Sequence, residues 1–328
     1  MLRIRSAALA AAFGLITISA AQASIDSPIH RTFSVHDGGT LTIDSDLGDI
    51  RVASGGTLVS VDVLRKANTS SKEKADDLFR DYRVEFTQSG DGVQVTARHT
   101  RASSWFHLFG NDLAVQYVVT VPSRYNLKLA TSGGDIKVGD LNGDVRCKTS
   151  GGDLALGHIG GSIDAKTSGG DLSVDGVRGV ATVGTSGGSV KIGDAGASLE
   201  VKTSGGSISI DRVAGDLLAH TSGGNISIRD ASGIIDAETS GGSIEAGMSR
   251  QPRGDSQLKT SGGGIVLSLA SSVALDLDAH TSGGDVQTDV PVTLLGKQSD
   301  STLNGKVNGG GPKVLLRSSG GDIHLRKL

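Results

Sequence analysis

The sequence repeats a motif whose first complete copy reads Thr131-Ser132-Gly133-Gly134-Asp135-Ile136-Lys137-Val138. The tetrapeptide Thr-Ser-Gly-Gly recurs at Thr149, Thr167, Thr185, Thr203, Thr221, Thr239, Thr260 and Thr281. The first six intervals are 18 residues long, and the next two are 21. A variant copy, Ser318-Ser319-Gly320-Gly321, follows near the end. A fixed period of this length predicts a repeat protein in which each copy is one structural unit.

Within each unit, apolar residues alternate with polar ones. In the first half, the apolar pairs are Ile136 and Val138, Leu154 and Leu156, Leu172 and Val174, Val190 and Ile192, Ile208 and Ile210, and Ile226 and Ile228. A weaker period of nine residues puts Val145 and Cys147 at the matching places of the second half. Alternation with a period of two predicts β-strands that bury one face. Cys147, the only cysteine, takes a place that other copies fill with Ala or Val, so we predict a buried apolar residue rather than a reactive thiol.

Strands this short cannot bury an apolar face alone, but stacked copies can. We therefore predict an all-β, single-stranded β-solenoid of the β-helix or β-roll type, with 18-residue coils and, by the usual crossover rule, a right-handed turn. The composition agrees, because the 328 residues include 49 Gly but only ten aromatics, none of them after Tyr125. A narrow aliphatic core leaves no room for large rings. The Thr of each corner should point inward and bond a neighbouring coil.

Residues 1–23 have the features of a Sec-type signal peptide. Arg3 and Arg5 precede an apolar run, and Ala21-Gln22-Ala23 provides a small-residue cleavage site. We predict a mature chain that starts at Ser24 and is periplasmic, secreted or on the cell surface. No later apolar run is long enough to cross a membrane, so we expect no transmembrane span in the mature chain.

The mature chain is predicted to divide into an N-terminal β-rich region, residues 24–130, and the solenoid repeat domain, residues 131–328. Ser45–Ile50 resembles a degenerate repeat corner, so the first coils should lie in the N-terminal region. Residues 71–82 have helical spacing of apolar residues and predict a short helix that covers the open end of the stack.

No pattern of catalytic, cofactor-binding or metal-binding residues stands out. Gly184-Thr185-Ser186-Gly187-Gly188 matches a nucleophile elbow, but here it is a by-product of the repeat, without the strand-turn-helix context that a hydrolase needs. Asp follows Gly-Gly in the first three copies and is replaced by Ser or Asn in the next four, which argues against a calcium ladder. Nucleic acid is an improbable partner, because the basic residues form no patch and the repeats lack aromatics that stack bases. The basic residues that precede the Thr corners, Lys148, Lys166, Lys202, His220, Lys259 and His280, are interpreted as a solvated stripe.

Two segments are candidates for an interaction surface. Trp105, Phe106 and Phe109 form an aromatic cluster that either touches a lipid or protein surface or folds back onto the cap. Arg253, Gly254 and Asp255 lie in one of the three-residue extensions of the 21-residue coils, which are expected to protrude as loops. This tripeptide matches an integrin ligand, although a match this short often occurs by chance.

The Thr-Ser-Gly-Gly-Asp-Ile motif, the signal peptide, and the terminal Asn308-Gly309-Gly310-Gly311 followed by Ser318-Ser319-Gly320-Gly321-Asp322-Ile323 resemble the bacterial putative-adhesin family, a domain of unknown function with β-strand repeats. The resemblance covers nearly the whole mature chain. It implies an adhesin-like architecture, and it supplies no catalytic residues.

These observations favour an exported, non-enzymatic β-solenoid that presents a surface for contact with an envelope or extracellular protein or a glycan. The role would be that of an adhesin, a scaffold or an envelope-stress protein, with no cofactor and no nucleic-acid partner. The alternative is a carbohydrate-binding or carbohydrate-cleaving β-helix. That alternative needs clustered carboxylates and aromatic platforms for sugar rings, and the repeats have only diffuse carboxylates and no aromatics.

Overall fold

The structure, a computed structural model, describes residues 24–100, 112–296 and 298–328, so the predicted signal peptide lies outside the described residues. The elements before the regular repeats are β1 (Ile25–Asp26), β2 (Ile29–Phe33), β3 (Thr40–Ser45), β4 (Asp49–Ser54), β5 (Val59–Ala67), α1 (Lys72–Asp81), β6 (Tyr82–Ser89), β7 (Gly92–His99), β8 (Leu113–Val121) and β9 (Asn126–Ala130).

The regular repeats contribute two strands per coil. These strands are β10 (Ile136–Val138), β11 (Val145–Lys148), β12 (Leu154–Ile159), β13 (Ile163–Lys166), β14 (Leu172–Val177), β15 (Ala181–Gly184), β16 (Val190–Ala195), β17 (Leu199–Lys202), β18 (Ile208–Val213), β19 (Leu217–Thr221), β20 (Ile226–Ala231), β21 (Ile235–Thr239), β22 (Ile244–Met248), β23 (Ser256–Thr260) and β24 (Ile265–Leu269). The C-terminal strands are β25 (Leu275–Thr281), β26 (Val286–Thr288), β27 (Val292–Leu294), β28 (Thr302–Val307), β29 (Lys313–Ser318) and β30 (Ile323–Lys327).

The strands form two sheets of 15 strands each, which confirms the predicted all-β solenoid. We call the sheet that contains β10 sheet 1 and the sheet that contains β11 sheet 2. In the regular coils, all pairing is parallel and joins residues one repeat apart, as Ile136 pairs with Leu154 and Val145 with Ile163. Successive coils therefore stack in register, and equivalent side chains lie in rows along the solenoid axis.

The predicted inward residues form one continuous hydrophobic core between the sheets. Ile136, Leu154 and Cys147 are at most 1% exposed, as the alternation requires. The three tyrosines, Tyr82, Tyr117 and Tyr125, are fully buried, and all lie before the regular repeats. Among the described residues, no helix has the length and apolarity that a membrane crossing needs.

The corner threonines form the predicted hydrogen-bond ladder. The Thr of each Thr-Ser-Gly-Gly corner, from Thr131 to Thr281, is at most 8% exposed. Its Oγ1 donates to a glycine carbonyl of the adjacent coil at 2.6–2.9 Å. In the coil of Thr203, the hydroxyl donates to the Gly188 carbonyl at 2.8 Å and accepts from the Gly206 amide at 3.4 Å. The neighbouring Ser204 is exposed, and the structure records no hydrogen bond to its hydroxyl.

We expect Thr203→Val to lower the free energy of unfolding by about 1–3 kcal/mol, because the Gly188 carbonyl loses its donor in a buried site. Ser204→Ala, the control on the adjacent residue, should change stability by less than about 0.5 kcal/mol. Urea denaturation followed by circular dichroism measures both values. A Thr203→Val variant as stable as Ser204→Ala would show that the ladder adds no stability.

The coils at both ends do not stack in sequence order. In sheet 2, β29 lies between β23 and β25, and in sheet 1, β30 lies between β24 and β26. The last coil of the chain, formed by β29 and β30, thus stacks between the coil of β23 and β24 and the coil of β25 and β26, although it follows both in sequence. At the other end, β3 lies between β9 and β7 in sheet 2, and β4 lies between β10 and β8 in sheet 1. The spacing of the repeats does not predict this arrangement.

Antiparallel strands and a helix close the stack. At the N-terminal end, β5 pairs with β8 and β6 with β7, and α1 contacts β5 and β6. The helix begins after Ser71, whose hydroxyl accepts from the Lys74 amide, so the predicted helix over residues 71–82 is confirmed. At the C-terminal end, the β27–β28 hairpin covers β25. Antiparallel end strands leave fewer free edges for further pairing.

A small polar cluster fixes the N-terminal cap. The hydroxyls of Ser45, Tyr82 and Tyr117 lie within 2.7–3.0 Å of one another, and burial raises the pKa of both tyrosines. Beside them, Asp46 accepts from the His99 amide at 2.8 Å and contacts the His99 ring at 3.1 Å. The cluster joins β3, β6, β7 and β8, and thereby both sheets.

The ion pair between Asp46 and His99 predicts a pH-dependent cap. Burial would raise the pKa of Asp46, but the bonds from His99 outweigh it, and the pKa is lowered. The same hydrogen bond to Asp46 raises the pKa of His99 against the opposing effect of burial, and the charge of Asp81 adds to it. Arg98 and the edge of the Tyr82 ring also face the pair.

The contribution of His99 to stability is therefore full below its ordinary pKa of about 6.5 and lost as pH rises through the higher folded value. That of Asp46 is lost only in acid, as pH falls through its lowered folded value. We expect His99→Gln to lower the thermal midpoint more at about pH 5.5 than at about pH 8.5. His280→Gln, which removes a ring bonded to the Thr302 hydroxyl rather than to a carboxylate, is the control. A His99→Gln effect that does not change with pH would contradict the prediction.

Candidate functional site

The outer faces of the two sheets carry the polar residues of the repeat. On sheet 2, one row of residues in register is mostly basic, interrupted by Gly184 and Glu238. Its basic members are Lys148, Lys166, Lys202, His220, Lys259, Arg317 and His280. Acidic neighbours offset several of these charges. Lys166 lies 3.3 Å from Asp164, and Lys202 lies 2.6 Å from Glu200. This geometry agrees with the interpretation of the row as a solvated stripe.

A shallow groove of about 400 Å³ follows this row at the Thr-Ser-Gly-Gly corner. Lys202, His220 and Glu238 line one side, and the exposed Ser204, Ser222 and Ser240 line the other. His220 contacts Asp236 at 3.3 Å. The groove therefore combines paired charges with free hydroxyls and has no net excess of either sign.

A larger groove, of about 540 Å³, crosses the outer face of sheet 1, and we call it the sheet-1 groove. Its floor is formed by small residues of β4 and of the coils that follow, among them Ala53, Gly139 and Gly157. Arg51 and Lys137 lie along one side on the adjacent strands β4 and β10, where they are Cα partners. Both side chains are exposed, and the described residues provide neither with a hydrogen bond or an ion pair.

Two acidic side chains also line the sheet-1 groove, Asp140 directly after Gly139, and Asp175 in the same row as Gly139 and Gly157. Asp140 accepts from the His158 amide at 2.7 Å and contacts the His158 ring at 3.2 Å, and these bonds lower its pKa. Asp175, two coils further along, has no recorded bond within the described residues. The groove thus has a row with two cations, and beside it a row of small residues with the two carboxylates in or next to it.

The reactive groups that the sequence contains are held in structural positions. Ser186 lies in a solenoid corner, where its amide donates to the Ser168 carbonyl at 3.2 Å, and a strand rather than a helix follows. Cys147 is fully buried, and burial raises the pKa of its thiol. In these positions neither residue has the surroundings of an activated nucleophile.

The Asp residues that follow Gly-Gly hold the corners together. The Oδ1 atoms of Asp135, Asp153 and Asp171 each accept from the backbone amide at the same place in the next coil, at 2.7–2.9 Å. Further along, Ser189 and Ser207 accept through their hydroxyls in the same way. Only a short side chain reaches this amide, which explains the preference for Asp over Glu. Across the described part of the chain, no group of three His, Cys, Asp or Glu residues could hold a metal ion.

The residues of the two candidate interaction segments differ in where they lie and in what they contact. Trp105, Phe106 and Phe109 lie outside the described residues. Arg253 is exposed on the loop that joins β22 and β23, and Gly254 is half-buried. The carboxylate of Asp255 accepts from the Lys313 amide at 2.8 Å, so it joins two coils at the corner before the sheet 2 strands, as Asp144 and Asp216 do in the regular coils. An integrin-like role for this tripeptide stays a prediction.

The extension loops pack against each other rather than protruding freely, so that expectation was wrong in part. The Gln251 side chain bonds both the amide and the carbonyl of Ala274, at 2.8 and 2.7 Å. Pro252 and Val273 are buried. The extra residues of the 21-residue coils are thus used to support the inserted C-terminal coil.

Sequence reasoning missed the sheet-1 groove. A signal for it exists, because aligning the degenerate corner at Ser45–Ile50 with the corner at Thr131–Ile136 places Arg51 beside Lys137. The alternation of apolar and polar residues then puts both side chains on the outer face.

The chain matches one family model, described as Toastrack DUF4097, over residues 39–326. None of the curated proteins matches it. Among solved structures, a "putative cell adhesion protein" from Clostridium sporogenes is 8% identical with a TM-score of 0.21, and the match covers 92% of this chain and 100% of that chain.

Two further solved structures show the same level of similarity. A "putative adhesin" from Bacteroides fragilis is 11% identical with a TM-score of 0.28, covering 92% of this chain and 97% of that one. A "putative lipid binding protein" from Parabacteroides distasonis is 13% identical with a TM-score of 0.32, covering 91% and 96%. Similarity at this level says nothing about function. The family model, however, extends from the residue before β3 into β30, and the chain therefore belongs to the Toastrack DUF4097 family.

Proposed function

We propose that this protein is an exported, non-enzymatic β-solenoid that uses its outer sheet faces to contact a protein or a glycan of the cell envelope or its surroundings, as an adhesin or scaffold. The observation that carries the proposal is that the inward-facing and the outward-facing residues of each coil have different roles. The inward residues and the corner Thr, Gly and Asp residues are used for stacking, and the outward residues of the strands vary from copy to copy. Such a repeat supplies a long, stable support whose outer faces are free to differ.

Other features support a binding role rather than a catalytic one. Both grooves are shallow and lie on the open faces, so they exclude little water from a bound group, whereas catalytic sites gain much of their effect from desolvation. The corner carboxylates of Asp135, Asp153 and Asp171 are engaged with backbone amides. Carboxylates held in this way are poorly placed to act as a general acid and base.

Export is tested by expressing the full chain in a bacterium with a Sec pathway and sequencing the N-terminus of the protein in the extracytoplasmic fraction. The expected N-terminus is Ser24. Ala23→Arg should block cleavage, because the cleavage site needs a small residue there, while Gln22→Arg at the tolerant middle position should not. A chain that stays in the cytoplasm uncleaved would overturn the export proposal.

Contact with the envelope is tested by measuring how the mature chain, residues 24–328, sediments with envelope preparations and intact cells. Saturable binding is expected. The non-enzymatic part is tested separately on a polysaccharide panel, where turnover that Asp135→Asn, Asp153→Asn or Asp171→Asn abolishes would overturn it.

A further inference from the structure

Arg51 and Lys137 form a pair of like charges for which the described residues provide no ion pair, and the acidic residues two positions earlier, Asp49 and Asp135, accept backbone amides of the next coil. They are Cα partners on adjacent parallel strands, so their backbones lie about 4.8 Å apart. Both side chains leave the same face of sheet 1 and are exposed, and no acidic group of the described residues pairs with them. Two neighbouring cations repel each other, and an anion that bridges them relieves this repulsion. The guanidinium group of Arg51 can also offer two parallel donors to one carboxylate.

The rest of the sheet-1 groove indicates a ligand that carries hydroxyls as well as anionic groups. Asp140 and Asp175, in or next to the row of small residues, can accept hydrogen bonds and would repel further carboxylates. In the row beside the cations, the small residues Ala53, Gly139 and Gly157 leave a flat floor on which the C–H face of a sugar ring can pack. A sugar acid meets all three requirements.

The direction of the groove favours a polymer over a single sugar. The row that contains Arg51 and Lys137 continues in register through Ala155 and Ser173 to Lys191. Lys191 lies three coils beyond Lys137, about 14 Å away. A linear chain that runs along the solenoid axis would meet cations at both ends of this distance.

An acidic peptide fits the groove less well. An extended peptide usually binds to a sheet by pairing with a free strand edge. The groove lies in the middle of sheet 1, where β4, β10 and β12 are each paired on both sides. A polysaccharide does not need a free strand edge, because it binds through ring faces, hydroxyls and carboxylates.

We propose that the sheet-1 groove binds a carboxylated polysaccharide, with carboxylates against Arg51 and Lys137 and sugar hydroxyls donating to Asp140 and Asp175. This inference rests on the proposed function and names the glycan class that one outer face contacts. Because the whole chain has a net charge of −3, it offers no general attraction to a polyanion. Affinity for one must therefore come from local groups such as these.

The test is isothermal titration of the mature chain with oligogalacturonate at low salt, with neutral dextran oligomers as the comparison. Saturable binding of oligogalacturonate but not of dextran is expected. The double variant Arg51→Glu/Lys137→Glu should weaken binding at least about tenfold, because two charge-assisted contacts become repulsive. Gly139→Leu should weaken it too, since it fills the floor without changing charge. Its Cβ meets only the Val52 carbonyl, at 3.7 Å, so the fold accepts it.

The matched control is Lys128→Glu/Lys148→Glu on the adjacent strands β9 and β11 of sheet 2. Both lysines are exposed and have no recorded partner in the described chain, so the charge change is the same. This control should change affinity less than about twofold. The inference is overturned if oligogalacturonate does not bind, or if both double variants weaken binding equally. The two proposals fail separately. A wild-type chain that binds envelope preparations but not oligogalacturonate overturns only this inference, whereas a wild-type chain that does not bind envelope preparations overturns the proposed function.

Discussion

Gly152→Ala is expected to destabilise the solenoid by about 3 kcal/mol or more, whereas Gly151→Ala beside it should cost less than about 1 kcal/mol. A Cβ at Gly152 would overlap the backbone of the previous coil at Gly134 and Asp135. At Gly151, a Cβ would make ordinary contacts, the nearest being the Gly133 carbonyl at 3.7 Å. Neither glycine needs a left-handed backbone conformation, so the difference comes from the stacking distance alone.

Thermal unfolding followed by circular dichroism measures this difference, and hydrogen exchange of the corner amides locates it. Because each coil contacts only its neighbours, we expect the loss of protection to centre on the coils of Gly134, Gly152 and Gly170. The corresponding glycines of the regular coils, from Gly170 to Gly242, have the same overlap with the preceding coil, so the effect should recur along the stack. Equal effects of Gly151→Ala and Gly152→Ala would contradict close stacking at this corner.

The regular part of the fold could be predicted because every signal in it is local. The period sets the length of a coil, and the alternation of residues such as Ile136, Lys137 and Val138 shows which side chains point inward. Thr203 could be placed for the same reason, by extending the alternation backward to the corner. Each inference needs only the residues of one coil and the assumption that its copies stack.

The stacking order of the coils at the ends of the solenoid could not be predicted, because coils with the same motif can stack on the same neighbouring coil. The corners at Thr281 and Ser318 carry the same motif, so both can stack on the coil of Thr260. In the structure, the Ser318 hydroxyl donates to the Gly263 carbonyl, and Thr281 donates to Gly321. Which of these two coils stacks on the coil of Thr260 depends on the paths of the connecting segments, and no local sequence pattern indicates these paths.

The candidate site was missed for a similar reason. Alternation shows that Lys137 and Lys166 both face outward, but not whether an outward charge is neutralised. An Asp stands two residues before each of these cations, Asp164 before Lys166, Asp49 before Arg51 and Asp135 before Lys137. Of the three, the structure records an ion pair only for Asp164 with Lys166. This difference depends on the next coils, since Asp49 and Asp135 accept hydrogen bonds from their backbone amides. It becomes apparent only when those coils are aligned.

Leu316→Asn is expected to disrupt the C-terminal end of the solenoid, at a cost of about 4 kcal/mol, because it replaces a fully buried side chain with an amide that has no partner. Leu316 is the Cα partner of both Leu258 on β23 and Ala279 on β25. Leu315→Asn, at the half-buried neighbour that faces outward, is the control and should cost less than about 1 kcal/mol.

Hydrogen exchange of the Leu316→Asn variant also tests the order of the coils. With β29 inserted between β23 and β25, the defect has two direct neighbours, so the amides of Ser256–Thr260 and Leu275–Thr281 should lose protection together. If the coils stacked in sequence order, β25 would separate β29 from β23, and Leu275–Thr281 would lose protection first. The regular coils between Val145 and Ala231 should keep theirs, because coupling between repeats acts through nearest neighbours. Protection retained in Ser256–Thr260 but lost in Leu275–Thr281 would therefore contradict the inserted coil.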